Sequence, residues 1–305
     1  MIPTFPNFKR LDIEDKAELQ AFTKCLPPYS DFNFACLTCY DTQGDFQWTM
    51  LNENLVFRLR DYVTKKPFFT FFGDHCVSDT VERLFDFAQQ NGVEPILRLI
   101  PESNLTQIGL ELNERFAVSE DRDNFDYIYQ LSDLSGLASG KFQRKRQKIS
   151  GFLRDCSTHK LNSINLSDHV FLIRQLLLVW QEKKHRSDAE TKIEFQAIER
   201  CLSLSNHFDF ISLGVFLNGA FVGFTISELL HDGFCMLHFA KADPSIAGLA
   251  DFLYSQTAKH MSDLGCTKIN FQEDLGIPGL RQLKESWRPQ FFLKKYSVGR
   301  NGILK

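Results

Sequence analysis

The hydrophobic and polar positions of this chain alternate in two stretches, each of which predicts a β-hairpin. Residues 46–59, FQWTMLNENLVFRL, contain two β-rich runs around the turn Asn52-Glu53-Asn54. Residues 210–229, FISLGVFLNGAFVGFTISEL, contain two runs around Asn218-Gly219, a dipeptide typical of two-residue hairpin turns. One hairpin is therefore expected in each half of the chain.

The segments that follow the two hairpins share the order strand, helix, strand. An aromatic strand that ends in aspartate comes first, an amphipathic helix closed by glycine comes next, and a strand that ends in acidic residues comes last. These segments are 68–74, 78–92 and 93–102 in the first half and 234–243, 247–265 and 266–274 in the second. The repeated order predicts a duplicated domain of the α+β class, with mixed sheets flanked by helices.

The helical crossover in each repeat makes its last two strands parallel. Ligands favour the carboxyl ends of such strands, where the N-terminus of a helix presents free N–H groups. We place the two domains at residues 1–140 and 161–305, joined by a basic connecting helix at 141–160. The main cleft is expected in the second domain.

The composition is that of a globular protein and excludes several other classes. Hydrophobic residues make up 43% and the net charge is only −3, so a nucleic acid or anionic membrane would have to bind a local patch. The most apolar run, FLIRQLLLVW, contains Arg174 and is shorter than the roughly 20 residues that cross a bilayer. The eight cysteines are scattered, and the pair Cys36 and Cys39 has no second pair at zinc spacing. We expect a cytoplasmic protein without a transmembrane segment or a metal.

Four runs of sequence carry a family resemblance. They are DYIYQLSDLSGLASGKFQRKRQKISGFLRD, HFAKADPSIAGLADFL, INFQEDLGIPGLRQLKESWRP and FFLKKYSVG. Together they resemble the family described as phosphatidylglycerol lysyltransferase C-terminal domain-like, and the resemblance extends from about Phe8 to Lys295. It implies two tandem GNAT-like (acyl-CoA N-acyltransferase) domains, related to the Fem-type enzymes that take an aminoacyl group from tRNA.

The sequence departs from one GNAT pattern. Acyl-CoA users carry [Gln/Arg]-x-x-Gly-x-[Gly/Ala] where a strand turns into a helix, because consecutive N–H groups there bind the pyrophosphate. Here Gly248 and Ala250 fit the pattern, but Ser245 stands at the Gln/Arg position. The corresponding turn of the first repeat, GDHCVSDTVERL, is acidic and lacks the glycine pair. Acetyl-CoA is therefore expected only in the second repeat, and as the less favoured donor.

Two adjacent acids, Glu273 and Asp274, follow the last strand of the second repeat and precede a helix that contains Pro278. A carboxylate at this edge could take the proton from an attacking amine, since an ammonium is no nucleophile. We predict Glu273 as that base, whereas Asp274 either assists it or stabilises the helix N-terminus. Lys241 is predicted to stabilise negative charge on an acyl oxygen.

Several polar residues near these acids are candidates for positioning the substrate. Asn270 shares a strand face with Gln272, and cations on the next helix could hold a substrate carboxylate or phosphate. The same residues also fit a sheet-surface hydrogen bond and a solvated helix face, and a histidine within a strand is usually a core residue. The candidates are Asn270, Arg281, Lys284, His238 and Asp243, the last of which could instead cap the helix near Gly248.

The densest positive patch lies in KFQRKRQKISGFLRD. Its apolar residues fall on one helical face, which predicts that the cations face solvent. They could bind a tRNA or an anionic lipid headgroup, or merely solvate a connecting helix. The predicted phosphate-binding residues are Arg144, Lys145, Arg146 and Lys148, which follow Lys141.

The function expected from these residues and from the resemblance is acyl transfer. The leading hypothesis is transfer of an aminoacyl group from aminoacyl-tRNA to an amine or hydroxyl of a small molecule, peptide or lipid headgroup. The alternatives are an acetyl-CoA-dependent N-acetyltransferase and a non-catalytic GNAT-like module that binds an anionic partner.

Overall fold

The computed structural model describes residues 2–61, 64–105, 115–184 and 189–302. The strands are β1 (Lys9–Arg10), β2 (Gln47–Leu51), β3 (Asn54–Arg60), β4 (Pro67–Phe72), β5 (Ile96–Pro101), β6 (Phe116–Glu120), β7 (Asp126–Gln130), β8 (Lys160–Ser163), β9 (Ile211–Leu217), β10 (Ala220–Leu229), β11 (Phe234–Ala242), β12 (Lys268–Asn270), β13 (Phe291–Leu293) and β14 (Lys295–Arg300).

The α-helices are α1 (Lys16–Thr23), α2 (Phe34–Tyr40), α3 (Val77–Gln90), α4 (Glu102–Leu105), α5 (Leu131–Gly136), α6 (Gln143–Asp155), α7 (Leu166–Lys184), α8 (Ala189–Leu204), α9 (Leu249–Asp263) and α10 (Pro278–Ser286). Short 3-10 turns lie at Ile13–Asp15, Ser30–Phe32, Arg122–Asn124, Gly140–Phe142 and Ser205–His207. None of the helices in the described ranges has both the length and the apolar character of a membrane span.

Both predicted hairpins are confirmed. β2 pairs antiparallel with β3, and β9 pairs with β10. The turn residues Asn52 and Glu53 have positive φ angles of 51° and 61°, and Asn218 and Gly219 have 51° and 85°. Left-handed backbone at both turn positions matches the twist of the flanking strands, which explains why Asn and Gly are favoured there.

The two predicted pairs of parallel strands are also confirmed, and in each pair the strands are hydrogen-bonded over only a few residues. β4 and β5 share the single register pair Phe69↔Leu97, and β11 and β12 share three pairs that end at Met236↔Asn270. The strand predicted at 266–274 stops at Asn270 because Gln272 has a left-handed φ of 61°. Glu273 and Asp274 therefore lie in the turn before α10.

The strands form two mixed seven-stranded sheets flanked by helices, as the predicted α+β class requires. Sheet 1 has the order β1-β2-β3-β4-β5-β14-β6, and sheet 2 has the order β13-β7-β12-β11-β10-β9-β8. Strands distant in sequence thus become neighbours, since β14 lies between β5 and β6, and β7 lies between β12 and β13. The hydrophobic patterns of the hairpins do not determine this exchange of strands.

The chain divides into two compact units that do not match the predicted consecutive domains 1–140 and 161–305. Unit 1 contains Met1–Asp126, Glu273–Arg281 and Phe292–Lys305, and unit 2 contains Tyr127–Gln272 and Gln282–Phe291. The positions of β7 and β14 explain the difference, because each hydrogen-bonds within the sheet of the other half of the sequence. The basic helix predicted as a connector, α6, lies within unit 2.

Each unit has its own hydrophobic core. In unit 1, α3 packs on sheet 1 through Val81, Leu84 and Phe85, which meet Phe69 and Phe71 of β4. The buried face of α3 follows the helical spacing of its apolar residues. In unit 2, α6 and α9 share a core that includes Phe152, Leu249, Phe252, Val215 and Val222.

Candidate active site

One lysine at the start of the last strand is completely enclosed by protein atoms. Lys295 begins β14, where it pairs with Pro101 of β5, and its side chain has no exposed surface. A buried ammonium is unfavourable unless nearby carboxylates compensate its charge and accept its hydrogen bonds. The residues around its Nζ atom provide that compensation.

Three carboxylates and one hydroxyl surround Lys295 Nζ. Asp126 Oδ1 lies 2.9 Å away, Ser30 Oγ 3.2 Å and Glu273 Oε2 3.9 Å, and Asp31 Oδ2 also forms an ion pair with it. We call these five residues the Lys295 cluster. All five belong to unit 1, although they come from three separate segments of the chain.

Ser30 links two of the carboxylates. Its backbone N–H donates to Asp126 Oδ2 at 2.7 Å, and its hydroxyl lies 2.6 Å from Asp126 Oδ1 and 3.0 Å from Glu273 Oε2. The 3-10 turn that begins at Ser30 is anchored by Phe32, whose ring stacks on Phe72 of β4 with the centroids 4.5 Å apart. Aromatic packing therefore holds the segment that supplies two members of the Lys295 cluster.

The Lys295 cluster contains three acids for one base. Burial lowers the pKa of Lys295, but Asp126, Asp31 and Glu273 more than offset this and hold it above its usual value. Burial raises the pKa of Asp31 to about 7, against the opposing effect of Lys295. Asp31 and Glu273 retain 11% and 15% of their side-chain surface exposed. A partly exposed carboxyl group whose pKa is raised towards neutrality is suited to proton transfer.

The neighbouring acid, Asp274, has structural partners. Its side chain is fully buried, and Arg281 donates to both of its oxygens at 2.9 and 2.7 Å. Arg122 Nη1 lies 3.3 Å from Oδ2, and the Gly276 N–H donates to Oδ1 at 2.9 Å. Hydrogen bonds to Asp274 and to Asp123 raise the pKa of Arg281. Asp274 is therefore held by two arginines and the Gly276 N–H in the turn before α10, and Arg281 is one of its partners.

Lys241 and His238, predicted as an oxyanion stabiliser and a substrate ligand, have carboxylate partners within unit 2. Lys241 Nζ lies 2.7 Å from Glu194 Oε1 and 4.3 Å from the centroid of the Trp180 ring. His238 Nε2 lies 3.2 Å from Glu228 Oε2, and both side chains are buried. Both residues belong to unit 2, whereas the Lys295 cluster belongs to unit 1.

Asn270 and Lys284, predicted to position substrate, instead bond to the backbone that leaves β12. Asn270 Oδ1 accepts the N–H of Gln272 at 2.6 Å, and Lys284 Nζ donates to the carbonyl of Phe271 at 2.6 Å. Asn270 and Lys284 are both buried. Their side chains stabilise the path of the segment that delivers Glu273.

Asp243 is predicted either to contact substrate or to cap the helix near Gly248, and its side chain bonds instead to Lys183 and Ser245, before the start of α9. Its oxygens accept hydrogen bonds from Lys183 Nζ at 2.8 Å and from Ser245 at 2.7 and 2.9 Å. Burial raises its pKa, but these hydrogen bonds outweigh burial and hold it below the usual value. The N-cap of α9 is Gly248, without a side-chain cap.

The turn at Gly248 is packed against α6, so the residues there do not fit a coenzyme A pyrophosphate. A Cβ atom on Gly248 would lie 2.2 Å from the carbonyl oxygen of Lys148. Asp251, in the first turn of α9, adds a carboxylate, while Ala250 is exposed. The carbonyl oxygen of Lys148 is an unfavourable neighbour for an anion at a helix N-terminus, and the charge of Asp251 is compensated by Lys145 and Lys148.

The gap between β11 and β12 is bridged by a side chain. Gln272 Nε2 donates to the carbonyl of Leu237 at 3.2 Å, one residue beyond the last register pair of the two strands. That carbonyl is the position at which an extended amide-bearing ligand would add to the edge of β11. Gln272 is buried, and its left-handed backbone directs the chain towards Glu273.

The predicted phosphate-binding patch on α6 is smaller than its sequence indicates. Lys145 is buried against Asp251, with Nζ 2.7 Å from Oδ1, and burial lowers its pKa while Asp251 opposes that change. Arg146 Nη1 donates to two backbone carbonyls. Arg144 is exposed, and Lys148 is 62% exposed although its Nζ lies 3.5 Å from Asp251. Lys145 faces the core because it shares a helix face with Phe152, contrary to the expectation that all cations face solvent.

Four members of the Lys295 cluster were missed by the sequence analysis: Ser30, Asp31, Asp126 and Lys295. Only Glu273 was predicted. No short motif links residues 30, 126 and 295, because the exchange of β7 and β14 brings their segments together. A lysine in the aromatic strand FFLKKYSVG was the available signal, since one of two consecutive strand residues must face inward.

Comparison with known proteins shows which family this sequence matches. A family model described as phosphatidylglycerol lysyltransferase, C-terminal, matches residues 23–299. No curated protein sequence gives a significant match.

Within the described residues, no group of three His, Cys, Asp or Glu side chains is placed to hold a metal ion.

Solved structures share the fold over nearly the whole chain. A conserved protein of unknown function from Bacteroides thetaiotaomicron is 25% identical with a TM-score of 0.85, covering 99% of this chain and 100% of that one. The L-PGS structure from Bacillus licheniformis is 14% identical with a TM-score of 0.62, covering 100% and 95%. A tandem GNAT protein from the clavulanic acid biosynthesis pathway is 8% identical with a TM-score of 0.50, covering 98% and 99%. The last two similarities establish a GNAT-like acyltransferase fold and nothing finer.

Proposed function

Because this chain belongs to the phosphatidylglycerol lysyltransferase C-terminal family, we propose that it transfers an aminoacyl group from aminoacyl-tRNA to an amine or hydroxyl acceptor. The Lys295 cluster is the proposed reaction site. The observation that carries the proposal is a fully buried ammonium held among three carboxylates, two of which reach the surface.

The proposed chemistry uses the two accessible acids as a proton-accepting pair. The acceptor amine or hydroxyl attacks the ester carbonyl of the aminoacyl group, a bond forms between the acceptor atom and that carbon, and the ribose hydroxyl leaves. The proton of the attacking group passes to the pair formed by Asp31 and Glu273, and the pair then gives that proton to the departing ribose oxygen, which leaves as the hydroxyl. A pKa of about 7 for Asp31 suits this step, because a base works best near the operating pH.

Lys295 and Ser30 are proposed to position that pair. Lys295 keeps the carboxylates together despite their mutual repulsion, and the Ser30 hydroxyl lies between Asp126 and Glu273. The cation of the proposed site is therefore Lys295, whose Nζ is 3.9 Å from Glu273 Oε2 and which positions the acids, and the oxyanion-stabilising role predicted for Lys241 is not part of this proposal. Glu273 retains the role of base predicted from its position after the strand.

The donor proposed here is an aminoacyl ester because coenzyme A has poor support in unit 2. The turn at Gly248 is occupied by the Lys148 carbonyl, and Gln272 takes the first free carbonyl of β11. Protein atoms thus crowd the helix N-terminus at Gly248 and take one carbonyl of the β11 edge, two places where an acyl-CoA would bind.

The test is a donor screen with labelled aminoacyl-tRNAs. Each tRNA, labelled in its amino acid, is incubated with the protein and a mixture of amines, glycerol derivatives and phosphatidylglycerol vesicles. We expect at least one donor to lose its label much faster than by spontaneous hydrolysis. Acetyl-CoA, tested in parallel, should neither be consumed nor raise the melting temperature.

Variants then test the site. Asp31→Asn and Glu273→Gln should each lower the transfer rate by about 100-fold, the usual contribution of a positioned base. Glu94→Gln, which alters an exposed acid of the same unit, is the matched control and should leave the rate unchanged. No accelerated loss of label from any donor, or an unchanged transfer rate in both Asp31→Asn and Glu273→Gln, would contradict the proposal.

A further inference from the structure

Two cysteines in unit 2 lie side by side where strands β11 and β12 begin. Cys235 is the second residue of β11, and Cys266 lies two residues before β12. Cys235 Sγ is 3.5 Å from the carbonyl oxygen of Lys268, and Cys266 Sγ is 3.5 Å from the carbonyl oxygen of Phe234. Each thiol thus contacts the strand of the other, so both sulfur atoms occupy the space between the two strand ends.

From these reciprocal contacts we infer that Cys235 and Cys266 form a reversible disulfide when the protein meets a hydroperoxide. This modification site is separate from the Lys295 cluster, and it does not depend on the proposed function. Both thiols lie at the same end of the neighbouring parallel strands β11 and β12, with Cys235 Sγ against the carbonyl of Lys268 and Cys266 Sγ against the carbonyl of Phe234, and a disulfide forms only between cysteines that are neighbours.

The two thiols differ in accessibility and in acidity. Cys235 is fully buried, whereas Cys266 retains 7% of its surface. A hydrogen bond between the thiols raises the pKa of Cys235 and lowers the pKa of Cys266 to about 7. Because the thiolate is the reactive form, Cys266 is the thiol that meets the oxidant first.

The chemistry balances with the hydroperoxide as the two-electron oxidant. The Cys266 thiolate attacks the peroxide oxygen, an S–O bond forms, the O–O bond breaks, and an alcohol (water, for hydrogen peroxide) leaves after taking up a proton. The Cys235 sulfur then attacks the Cys266 sulfur, forming the S–S bond and releasing water. Two thiols lose two electrons, and the peroxide is reduced.

The experiment treats the native protein with hydrogen peroxide at neutral pH, blocks remaining thiols and maps the peptides without reduction. Cleavage before aspartate isolates Cys235 in residues 232–242 and Cys266 in residues 263–273. We expect these two peptides to be joined and two hydrogens lighter than their sum, and to separate after dithiothreitol. The exposed Cys25 and Cys76 report whether the oxidant was effective.

Variants separate this disulfide from other oxidation. Cys266→Ser should abolish the cross-link and leave Cys235 reduced, whereas Cys201→Ser, which alters another buried cysteine, should leave the cross-link unchanged. The link closes a loop that contains most of β11 and all of α9, so the melting temperature of the oxidised protein should rise by about 5 °C. The inference would be overturned if Cys25 and Cys76 were oxidised while peptides 232–242 and 263–273 stayed separate. It would also be overturned if the two peptides were joined only when the protein was oxidised in denaturant.

Discussion

Lys295 is the counterion of three carboxylates in unit 1. It is fully buried, and its ammonium contacts Asp31, Asp126 and Glu273. Removal of a buried charge from such a set leaves its partners uncompensated, which costs more than the net strength of the original ion pairs. The residue therefore contributes both to stability and to the proposed chemistry.

We predict that Lys295→Met lowers the free energy of unfolding by about 3–5 kcal/mol, because three carboxylates lose their counterion. Urea denaturation at pH 7 gives this value. The adjacent Lys294, whose Nζ lies 2.8 Å from the exposed Glu120 and 5.9 Å from the centroid of the Phe125 ring, provides the control variant Lys294→Met. Equal effects of the two variants would show that the carboxylates do not need Lys295.

Asp31 predicts a specific pH dependence of stability. Its pKa is about 7 in the folded protein against 3.8 for an ordinary aspartate, so the folded state binds more protons than the unfolded state between these values. The contribution of Asp31 is fully present below pH 4 and is lost as pH rises through 7. Compared with Asp31→Asn, the wild-type protein should lose about 1 kcal/mol of stability per pH unit across this range.

Urea denaturation of both proteins at several pH values tests the direction of that slope. Asp155→Asn, which alters an exposed acid of unit 2, should not change the pH profile. A stability difference between wild type and Asp31→Asn that stays constant or increases with pH would contradict the raised pKa.

At the level of elements, the contact between α6 and α9 explains the glycine at residue 248. Its φ is +80°, and the Lys148 carbonyl occupies the place of a side chain. The sequence alone allows two explanations of Gly248, because a glycine suits a turn that binds pyrophosphate and also suits the close approach of two helices. Only the packing of α6, which long-range contacts decide, separates the two explanations.

We predict that Gly248→Ala destabilises the protein by about 3 kcal/mol or more, since it combines a left-handed backbone with a clash. Gly265→Ala is a matched control, because Gly265 has a similar φ of +91° with nothing within 4 Å of a Cβ atom. That control should lose only about 1 kcal/mol. Similar losses in both variants, measured by urea denaturation, would refute the close contact with α6.

Local elements were predictable from the sequence wherever short-range physics determines them. The turns at Asn52-Glu53 and Asn218-Gly219 and the helices that became α3 and α9 follow from residue pattern alone. The sites of Ser30, Asp126 and Lys295 do not, because their proximity depends on pairing between strands far apart in sequence. Burial of Lys145 was missed for the same reason, since its partner Asp251 lies on another helix.

At the level of the whole molecule, neither sheet is complete without strands from the other half of the sequence. Sheet 1 needs β14 between β5 and β6, and sheet 2 needs β7 between β12 and β13. A duplicated fold is therefore present, but its copies are not consecutive segments. This arrangement follows from strand pairing, and the composition of residues 140–160 does not reveal it.

We predict that fragments 1–140 and 161–305, cut at the boundaries expected from sequence, do not fold independently. The first lacks β14 and the second lacks β7, so each exposes unpaired strand edges in place of an interior strand. Circular dichroism and thermal unfolding of the separate fragments test this. A cooperative transition in fragment 1–140 alone would contradict this prediction. Fragment 1–140 extended by a linker and residues 292–302, which restore β14, should recover part of the transition.

The position of β14 has a consequence during translation. A ribosome makes residues 96–120 long before residue 295, and in that interval β5 and β6 have no partner to occupy the place between them. The nascent chain must therefore carry two open backbone edges through most of its synthesis, a state that favours binding by chaperones. Asp31 and Asp126 are likewise synthesised long before Lys295, which supplies their counterion. The Lys295 cluster can therefore form only after nearly all of the described chain has been synthesised.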